Sequence, residues 1–262
     1  MDMYETLTIE TDARGVARLT LTRVEKHNAM SAQMIAELTQ AAAQLAGDAS
    51  VRVVVLTGAG ESFCAGGDLG WMREQMEADG ATRQAEARKL AEMLFALNTL
   101  PQPVIGRIQG NAFGGGLGLV SVCDVAIGVE SLKFGFTEAR LGLIPATISP
   151  YCLARMGEAM ARRVFMSARL FGAGEAVTLG LLARAVPAAG LDAAIEAEVK
   201  PYLSCAPGAV AASKRLARHM GPRIDAEVID FSIRALAAQW ETEEAREGVR
   251  AFFAREKAPW QQ

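Results

Sequence analysis

The chain has 262 residues, of which 51% are hydrophobic and 22% are charged, and its formal net charge at pH 7 is −3. This is the composition of a globular protein and excludes an intrinsically disordered chain. The acidic balance argues against general electrostatic binding of nucleic acid. No apolar run is long enough to span a membrane, and the first residues lack the charged-then-apolar pattern of a signal peptide. We therefore expect a cytoplasmic protein without nucleic-acid or membrane partners.

The cysteines and histidines exclude several kinds of site. Four cysteines occur, widely spaced and without a CxxC pair, which is typical of reduced thiols in a cytosolic protein. They are Cys64, Cys123, Cys152 and Cys205. Only His27 and His219 are present, so a histidine-rich metal site is excluded. The motifs HExxH, GxSxG and GxxxxGK[ST] are missing, so the sequence gives little support to a serine hydrolase. We expect no metal site.

The predicted elements of the first two thirds alternate between strands and helices. Segments 5–10 and 16–22 alternate in hydrophobicity around a turn sequence, which predicts a β-hairpin. Ser31 can cap a helix that runs to about Gly47. Farther along, the pattern predicts strands at 51–58, 103–110 and 124–130 and a helix at 84–100. This alternation favours an α/β fold.

The pattern changes after about residue 190, where proline and glycine punctuate helical stretches. The predicted helices are 191–204, 208–220, 225–240 and 241–256. We therefore divide the chain into a core, 1–190, and a C-terminal helical region, 191–262. The polar stretch 75–88 is typical of a mobile surface segment, and we treat it as a candidate lid.

Two glycine-rich loops, 63–69 and 110–118, each precede a predicted helix. Adjacent glycines let the backbone approach a ligand closely, and a helix N-terminus offers unpaired N–H donors. Two such loops can direct two N–H groups at one developing oxyanion, as a thioester carbonyl becomes when it forms an enolate. The alternative is that each loop is a tight turn required for packing. A dinucleotide site is disfavoured because the second loop is not GxGxxG.

Glu138 lies in the largely apolar stretch 134–145. Apolar surroundings raise the pKa of a carboxyl group, and a raised pKa suits proton transfer near neutral pH. The alternative for this residue is a salt bridge with Arg140, which would lie on the same face if the segment were extended.

Together these segments resemble the enoyl-CoA hydratase/isomerase (crotonase) family. The family's A-G-[AG]-D-[LI] loop is similar to 65–69, and its G-x-[AC]-x-G-G-G loop is similar to 110–116. Its [PT]-E-x-x-L-G-[LI]-x-P stretch is similar to 137–145. An early segment at 22–30 and a closing helix at 244–252 extend the match over nearly the whole chain.

The resemblance implies an α/β fold built as a crotonase-like spiral of ββα units, with a C-terminal helical region that forms a homotrimer or a dimer of trimers. It implies that Gly67 and Gly115 supply the two oxyanion N–H groups and that Glu138 moves a proton at the α-carbon. The substrate would be an acyl-CoA thioester, so coenzyme A belongs to the substrate and no separate cofactor is expected.

The resemblance also implies a set of residues that bind the substrate or its coenzyme A portion. They are Lys26, His27, Ala29, Ala65, Gly66, Asp68, Leu69, Gly116 and Gly118. Lys26, His27 and Ala29 would lie near the nucleotide end, and Lys257 could meet a phosphate. For His27 an ordinary surface position is an equal alternative.

Two positions depart from the family pattern. Family hydratases usually carry a second glutamate where this chain has Gly118, and a glycine-rich stretch where it has 146–150, Ala-Thr-Ile-Ser-Pro. The second change predicts a bulkier and stiffer pocket wall, because Ile fills space and Pro fixes φ. These segments resemble bacterial methylglutaconyl-CoA hydratase-like members, in which case Arg73 or Arg140 could pair with a distal carboxylate.

Three hypotheses follow. The first is a hydratase that adds water to a 2-enoyl-CoA, with 3-methylglutaconyl-CoA or a related branched compound as the substrate. The second is a Δ3,Δ2-enoyl-CoA isomerase, for which Glu138 alone would suffice. The third is a non-catalytic protein that binds CoA esters.

Overall fold

A computed structural model describes residues 4–261, which form two sheets surrounded by helices. The strands are Leu7–Thr11 (β1), Val16–Leu21 (β2), Val53–Gly58 (β3), Ser62–Cys64 (β4), Val104–Ile108 (β5), Asn111–Phe113 (β6), Val125–Val129 (β7), Lys133–Gly135 (β8), Phe171–Gly172 (β9) and Arg184–Val186 (β10). The helices are Ala32–Gly47 (α1), Leu69–Glu77 (α2), Gly80–Asn98 (α3), Gly115–Val122 (α4), Ser149–Phe165 (α5), Ala173–Thr178 (α6), Leu191–Leu203 (α7), Pro207–Met220 (α8), Ala226–Trp240 (α9) and Glu243–Ala254 (α10). Short 3-10 turns occur at Val24–Lys26, Glu138–Leu141 and Ala188–Gly190.

From β3 to β8, successive strands belong alternately to the larger and the smaller of the two sheets. The larger sheet has the order β1-β2-β3-β5-β7-β10, and the smaller has the order β4-β6-β8-β9. Thus β3 and β4, β5 and β6, and β7 and β8 form three consecutive pairs, each divided between the sheets and followed by helix. All pairings among β2, β3, β5, β7 and β10 are parallel. This repeat is the predicted spiral of ββα units, and the α/β class is confirmed.

The N-terminal predictions agree with the structure. Strands β1 and β2 pair antiparallel, with Leu7 opposite Leu21, which confirms the hairpin. The Ser31 hydroxyl accepts a hydrogen bond from the Met34 N–H at 3.2 Å, so it caps α1 as predicted. Every residue of β3 is buried, as expected for a central parallel strand covered on both faces.

Residues 75–88, the predicted mobile surface segment and candidate lid, lie largely at the surface but form helix, and a role as a lid stays a prediction. The end of α2 and the beginning of α3 occupy this stretch, and Asp79 caps α3 by accepting from the Thr82 N–H at 2.7 Å. Arg83 is only 9% exposed. Its guanidinium pairs with Glu241 and donates to the carbonyls of Gln75 and Met76. Most of the polar side chains of this stretch form the solvent-facing side of a docked helix, so the polar sequence alone did not reveal the helix.

Helices α7 to α10 confirm the helical character of the C-terminal region. Helix α7 packs on β3, β5 and β7, whereas α9 packs on α3, where Arg88 and Asp230 form an ion pair at 2.8 Å. The boundary between residues 190 and 191 stays a prediction. Cys64, Cys123 and Cys152 are buried and unpaired, and Cys205 is exposed. No helix within residues 4–261 is long and apolar enough to cross a bilayer.

Candidate active site

The first glycine loop, residues 65–68, is fixed by the chain segment before α1. The Ala65 N–H donates to the His27 carbonyl, the Met30 N–H to the Gly66 carbonyl, and the Asp68 N–H to the Met30 carbonyl, at 2.8–3.0 Å. No oxygen within residues 4–261 accepts a hydrogen bond from the Gly67 N–H. One donor is therefore left unpaired in a loop whose neighbouring backbone groups are bonded.

The second glycine loop lies directly against the first. Gly66 has a φ of +98°, and a Cβ on it would lie 3.0 Å from the Phe113 carbonyl and 3.7 Å from the Gly115 nitrogen. Only glycine permits this backbone conformation and this approach without strain. Gly115 is the first residue of α4, so its N–H has no acceptor one turn back in the helix. The structure thus brings together the two donors that the sequence predicts.

Glu138 follows a strand of the smaller sheet and lies beside the two glycine loops. It begins the 3-10 turn after β8, and β8 pairs with β6, which leads into the second glycine loop. A Cβ on Gly114 would lie 3.2 Å from Glu138 Oε1. The other carboxylate oxygen, Oε2, is buried and has no hydrogen-bond partner among residues 4–261. Burial disfavours the charged form and raises the pKa of Glu138 to about 7, although its own backbone N–H partly offsets this.

The alternative for Glu138, a salt bridge with Arg140, is contradicted by the structure. The segment is a 3-10 turn rather than an extended strand, so side chains two residues apart do not share a face. Arg140 is exposed, and neither residue belongs to an ion pair in the part of the chain that the structure describes. Glu138 therefore has one buried carboxylate oxygen and no counter-ion among the described residues.

The two loops and Glu138 open onto a cavity of about 800 Å³. Six predicted site residues line it: Ala65, Gly66, Gly67, Leu69, Gly115 and Glu138. The cavity is also lined by the segment 143–148 and by parts of α9 and α10. Among the described lining residues, which are largely apolar, Glu138 is the one acid with a buried and unpaired carboxylate oxygen.

The 3-10 turn that carries Glu138 packs backbone to backbone on α10. A Cβ on Gly142 would lie 2.4 Å from the Glu244 carbonyl oxygen, and a Cβ on Gly248 would lie 2.5 Å from the Leu141 carbonyl oxygen. Gln239 also donates to the Gly142 carbonyl at 2.7 Å. Helices α9 and α10 thus contact the turn that carries Glu138.

The other predicted binding residues lie outside the cavity lining. Lys26 and His27 are exposed beside the first loop, and the His27 Nδ1 lies 3.2 Å from the Ser62 hydroxyl. Ala29 is buried, and its carbonyl accepts from Arg23. A contact between these positions and coenzyme A stays a prediction.

Gly116 and Gly118 occupy tightly packed positions on α4. A Cβ on Gly116 would lie 2.4 Å from the Cys64 carbonyl oxygen, and a Cβ on Gly118 would lie 2.5 Å from Ile148 Cγ2. Neither residue lines the cavity. Their evident role is to let α4 pack closely, and a role in substrate binding stays a prediction.

Sequence reasoning missed the cavity residues of the C-terminal helices. Trp240, Phe252 and Arg255 line the cavity but belong to no glycine loop or acidic motif. Their only signal was the apolar face of the predicted helices, which does not reveal what that face contacts. Arg73, a candidate for binding a distal carboxylate, lies over the ring of Phe253 at 4.9 Å and does not line the cavity.

Asp68 has a structural role in the first loop. Its carboxylate accepts from the N–H groups of Gly70 and Trp71, at the start of α2, and pairs with Arg23 at 3.0 Å. Although burial alone would raise it, these hydrogen bonds hold the pKa of Asp68 below its usual value. The side chain therefore fixes the beginning of α2 immediately after the unpaired Gly67 N–H.

Replacing Asp68 by alanine should lower the free energy of unfolding by about 1–2 kcal/mol, because α2 loses its N-cap. Asp68→Asn keeps a capping oxygen and should lose less. Urea unfolding of both variants measures this, together with titration of a CoA ester. Weaker CoA-ester binding by Asp68→Ala with an unchanged free energy of unfolding would instead make Asp68 a substrate contact.

The raised pKa of Glu138 should appear in the pH dependence of stability. With a pKa raised from 4.5 to about 7, the native protein keeps this proton over a range in which the unfolded chain has lost it. The free energy of unfolding therefore falls as pH rises through this interval. Relative to Glu138→Gln, the wild type should lose on the order of 3 kcal/mol, at about 1.4 kcal/mol per pKa unit. Urea unfolding from pH 4 to 8 tests this, and parallel curves would contradict it.

The repeated ββα unit, with two glycine loops and Glu138 meeting at one cavity, is the architecture of the crotonase fold. Residues 11–262 match the family model described as enoyl-CoA hydratase/isomerase. The chain belongs to the enoyl-CoA hydratase/isomerase family, and it is an enzyme of that family.

Solved structures agree with this assignment along the whole chain. An enoyl-CoA hydratase from Shewanella pealeana is 35% identical, with a TM-score of 0.81 and coverage of 98% of this chain and 97% of that one. An enoyl-CoA hydratase from Mycobacterium avium is 32% identical, with a TM-score of 0.85 and coverage of 99% and 100%. Pseudomonas aeruginosa AtuE is 36% identical, with a TM-score of 0.79 and coverage of 98% and 100%.

Proposed function

We propose that the protein is an enoyl-CoA hydratase that adds water to a 2-enoyl-CoA thioester through an enolate. The observation that carries this proposal is one buried carboxyl group without a partner beside two unpaired N–H donors at a largely apolar cavity. The names of the similar hydratase structures support the reaction type. Coenzyme A enters with the substrate, and no further cofactor takes part.

In the proposed reaction, the thioester oxygen accepts hydrogen bonds from the N–H groups of Gly67 and Gly115. When the oxygen of water adds to C3, electrons move from the C2–C3 double bond toward the thioester carbonyl, and the thioester oxygen becomes the negatively charged oxygen of the enolate. Preorganised N–H donors stabilise that charge more than the ground-state carbonyl. Protonated Glu138 then delivers its proton to C2, and the proton lost by the added water restores the acid. A pKa of about 7 keeps both forms of Glu138 accessible near neutral pH.

We propose 3-methylglutaconyl-CoA or a related branched dicarboxylic compound as the substrate. Arg140 lines the cavity and belongs to no ion pair in the described chain, so it can receive a distal carboxylate. This extends the resemblance to methylglutaconyl-CoA hydratase-like proteins.

We also propose a homotrimer or a dimer of trimers. Several large apolar side chains on the C-terminal helices are exposed in the single chain, which supports their burial between subunits. They are Leu216, Met220 and Phe231.

A second candidate is a Δ3,Δ2-enoyl-CoA isomerase. Position 118, where family hydratases usually carry a second glutamate, is glycine, and the space that a side chain would enter there is filled by Ile148. Moving a proton along an enolate requires only one acid–base group, and Glu138 supplies it.

The deciding experiment incubates the purified protein separately with crotonyl-CoA, 3-methylglutaconyl-CoA and 3-hexenoyl-CoA. Mass and retention time identify the products. A gain of one water on a conjugated substrate establishes the hydratase. Conversion of 3-hexenoyl-CoA to its 2-isomer, with no hydration of the other two, establishes the isomerase. Binding of CoA esters without turnover of any substrate would favour a non-catalytic protein.

A further inference from the structure

Position 118 requires glycine because a neighbouring side chain leaves no space for a Cβ, and not because of the backbone angles of the residue. It lies inside α4 with an ordinary helical conformation, so its φ would allow any residue. A Cβ placed on it, however, would lie 2.5 Å from Ile148 Cγ2 and 3.1 Å from Ile148 Cβ. Both contacts are closer than packed carbon atoms tolerate. Even a methyl group at position 118 must therefore displace Ile148.

Ile148 is held in place on its backbone side. Its carbonyl accepts from the N–H groups of Tyr151 and Cys152 at 3.2 and 3.1 Å, as α5 begins. The side chain is β-branched, which limits its rotamers. It is only 2% exposed, and it lines the cavity together with Glu138. Because Ile148 lines the cavity, the cavity offers open space into which a displaced Ile148 side chain can move.

We propose that Gly118 and Ile148 together limit the size of the acyl group. Ile148 contacts the acyl carbons next to the reacting centre, and Gly118 is a positioning residue that sets how far Ile148 projects into the cavity. This inference rests on the proposed binding of acyl-CoA thioesters but does not depend on which reaction follows. It assigns a role to a glycine that does not itself line the cavity.

Binding of saturated acyl-CoA thioesters tests the pair without any turnover. Butyryl-CoA and isovaleryl-CoA differ by one methyl group at C3, and neither has a double bond to hydrate. The quantity measured is the ratio of their dissociation constants by calorimetry. One methylene in an apolar pocket changes recognition by roughly 10–200-fold. Ile148→Ala should therefore shift the ratio in favour of isovaleryl-CoA by about tenfold or more.

Gly118→Ala should shift the ratio the other way, by roughly threefold or more, because Ile148 is pushed into the cavity. The double variant Gly118→Ala/Ile148→Ala should behave like Ile148→Ala alone, since the added Cβ has lost the group it would displace. If Gly118→Ala does not fold, the double variant and Ile148→Val carry the same comparison.

Leu94→Ala is the matched control. Leu94 lies 3.5 Å from the position of a Cβ on Gly118, but it does not line the cavity. This variant should lose stability and leave the ratio within twofold of the wild type. A ratio in Ile148→Ala within twofold of the wild type would overturn the inference. A shifted ratio in a protein that turns over no enoyl-CoA would overturn the proposed reaction and leave the size limit standing.

Discussion

Replacing Glu138 by glutamine is expected to lower turnover of the true substrate by about 10²–10⁴-fold, the usual contribution of general acid–base catalysis. Glutamine keeps nearly the same shape beside Gly114 but cannot exchange a proton. The carboxyl group has no ion-pair partner, so the substitution leaves no opposite charge unpaired. Steady-state kinetics should show a loss in kcat, and the dissociation constant of a CoA ester should change little.

Glu74→Gln provides the control for this substitution. Glu74 lies on α2, near the first loop in sequence, but is exposed and does not line the cavity. Its replacement should leave kcat within twofold of the wild type. The mechanism is refuted if Glu138→Gln retains wild-type turnover. A large loss in both variants would point instead to an acid outside the cavity.

The second large effect is expected from Gly67→Pro. Proline has no N–H, so one of the two oxyanion donors disappears, and loss of such a donor lowers kcat by about 10²–10³-fold. The Gly67 N–H makes no hydrogen bond in the described structure, so its removal breaks no internal bond. Stopped assays measure the effect, with the substrate that the incubation experiment described under Proposed function identifies.

Gly67→Ala separates the donor from the side chain. A Cβ on Gly67 would lie 3.7 Å from the Trp71 ring, an ordinary contact, and alanine keeps the N–H. It should therefore lose far less activity than Gly67→Pro. Circular dichroism and thermal unfolding show whether the proline variant is folded. Equal losses in two folded variants would argue against the oxyanion role.

Local signals in the sequence predicted most of the fold. The Ser31 cap, the turn between β1 and β2 and the apolar run of β3 each depend on neighbours in the chain, and all three were confirmed. The helical structure of most of the stretch 75–88 was not predicted, because its packing depends on residues distant in sequence. Arg83 is buried through its pairing with Glu241, more than 150 positions away, which composition does not reveal.

The sequence also predicted the main residues of the candidate site, but not all of the contacts between them. The glycine loops and Glu138 stand out because their residue types and spacings are unusual, and the structure brings them together at one cavity. The contact between Gly118 and Ile148 was not foreseen as a pair, although both positions had been noted separately. A contact between two helices that are distant in sequence has no local signature.

The packing of Gly142 and Gly248 brings main-chain atoms of the acid-bearing turn and of α10 into close contact. Because the same helix also lines the cavity, docking of the C-terminal helix and occupancy of the cavity are linked equilibria. A bound thioester should slow amide hydrogen exchange along α10. Local fraying of that helix should weaken binding of the thioester by the same free energy. Hydrogen exchange in α10, which also lines the cavity, would then report whether a ligand is bound.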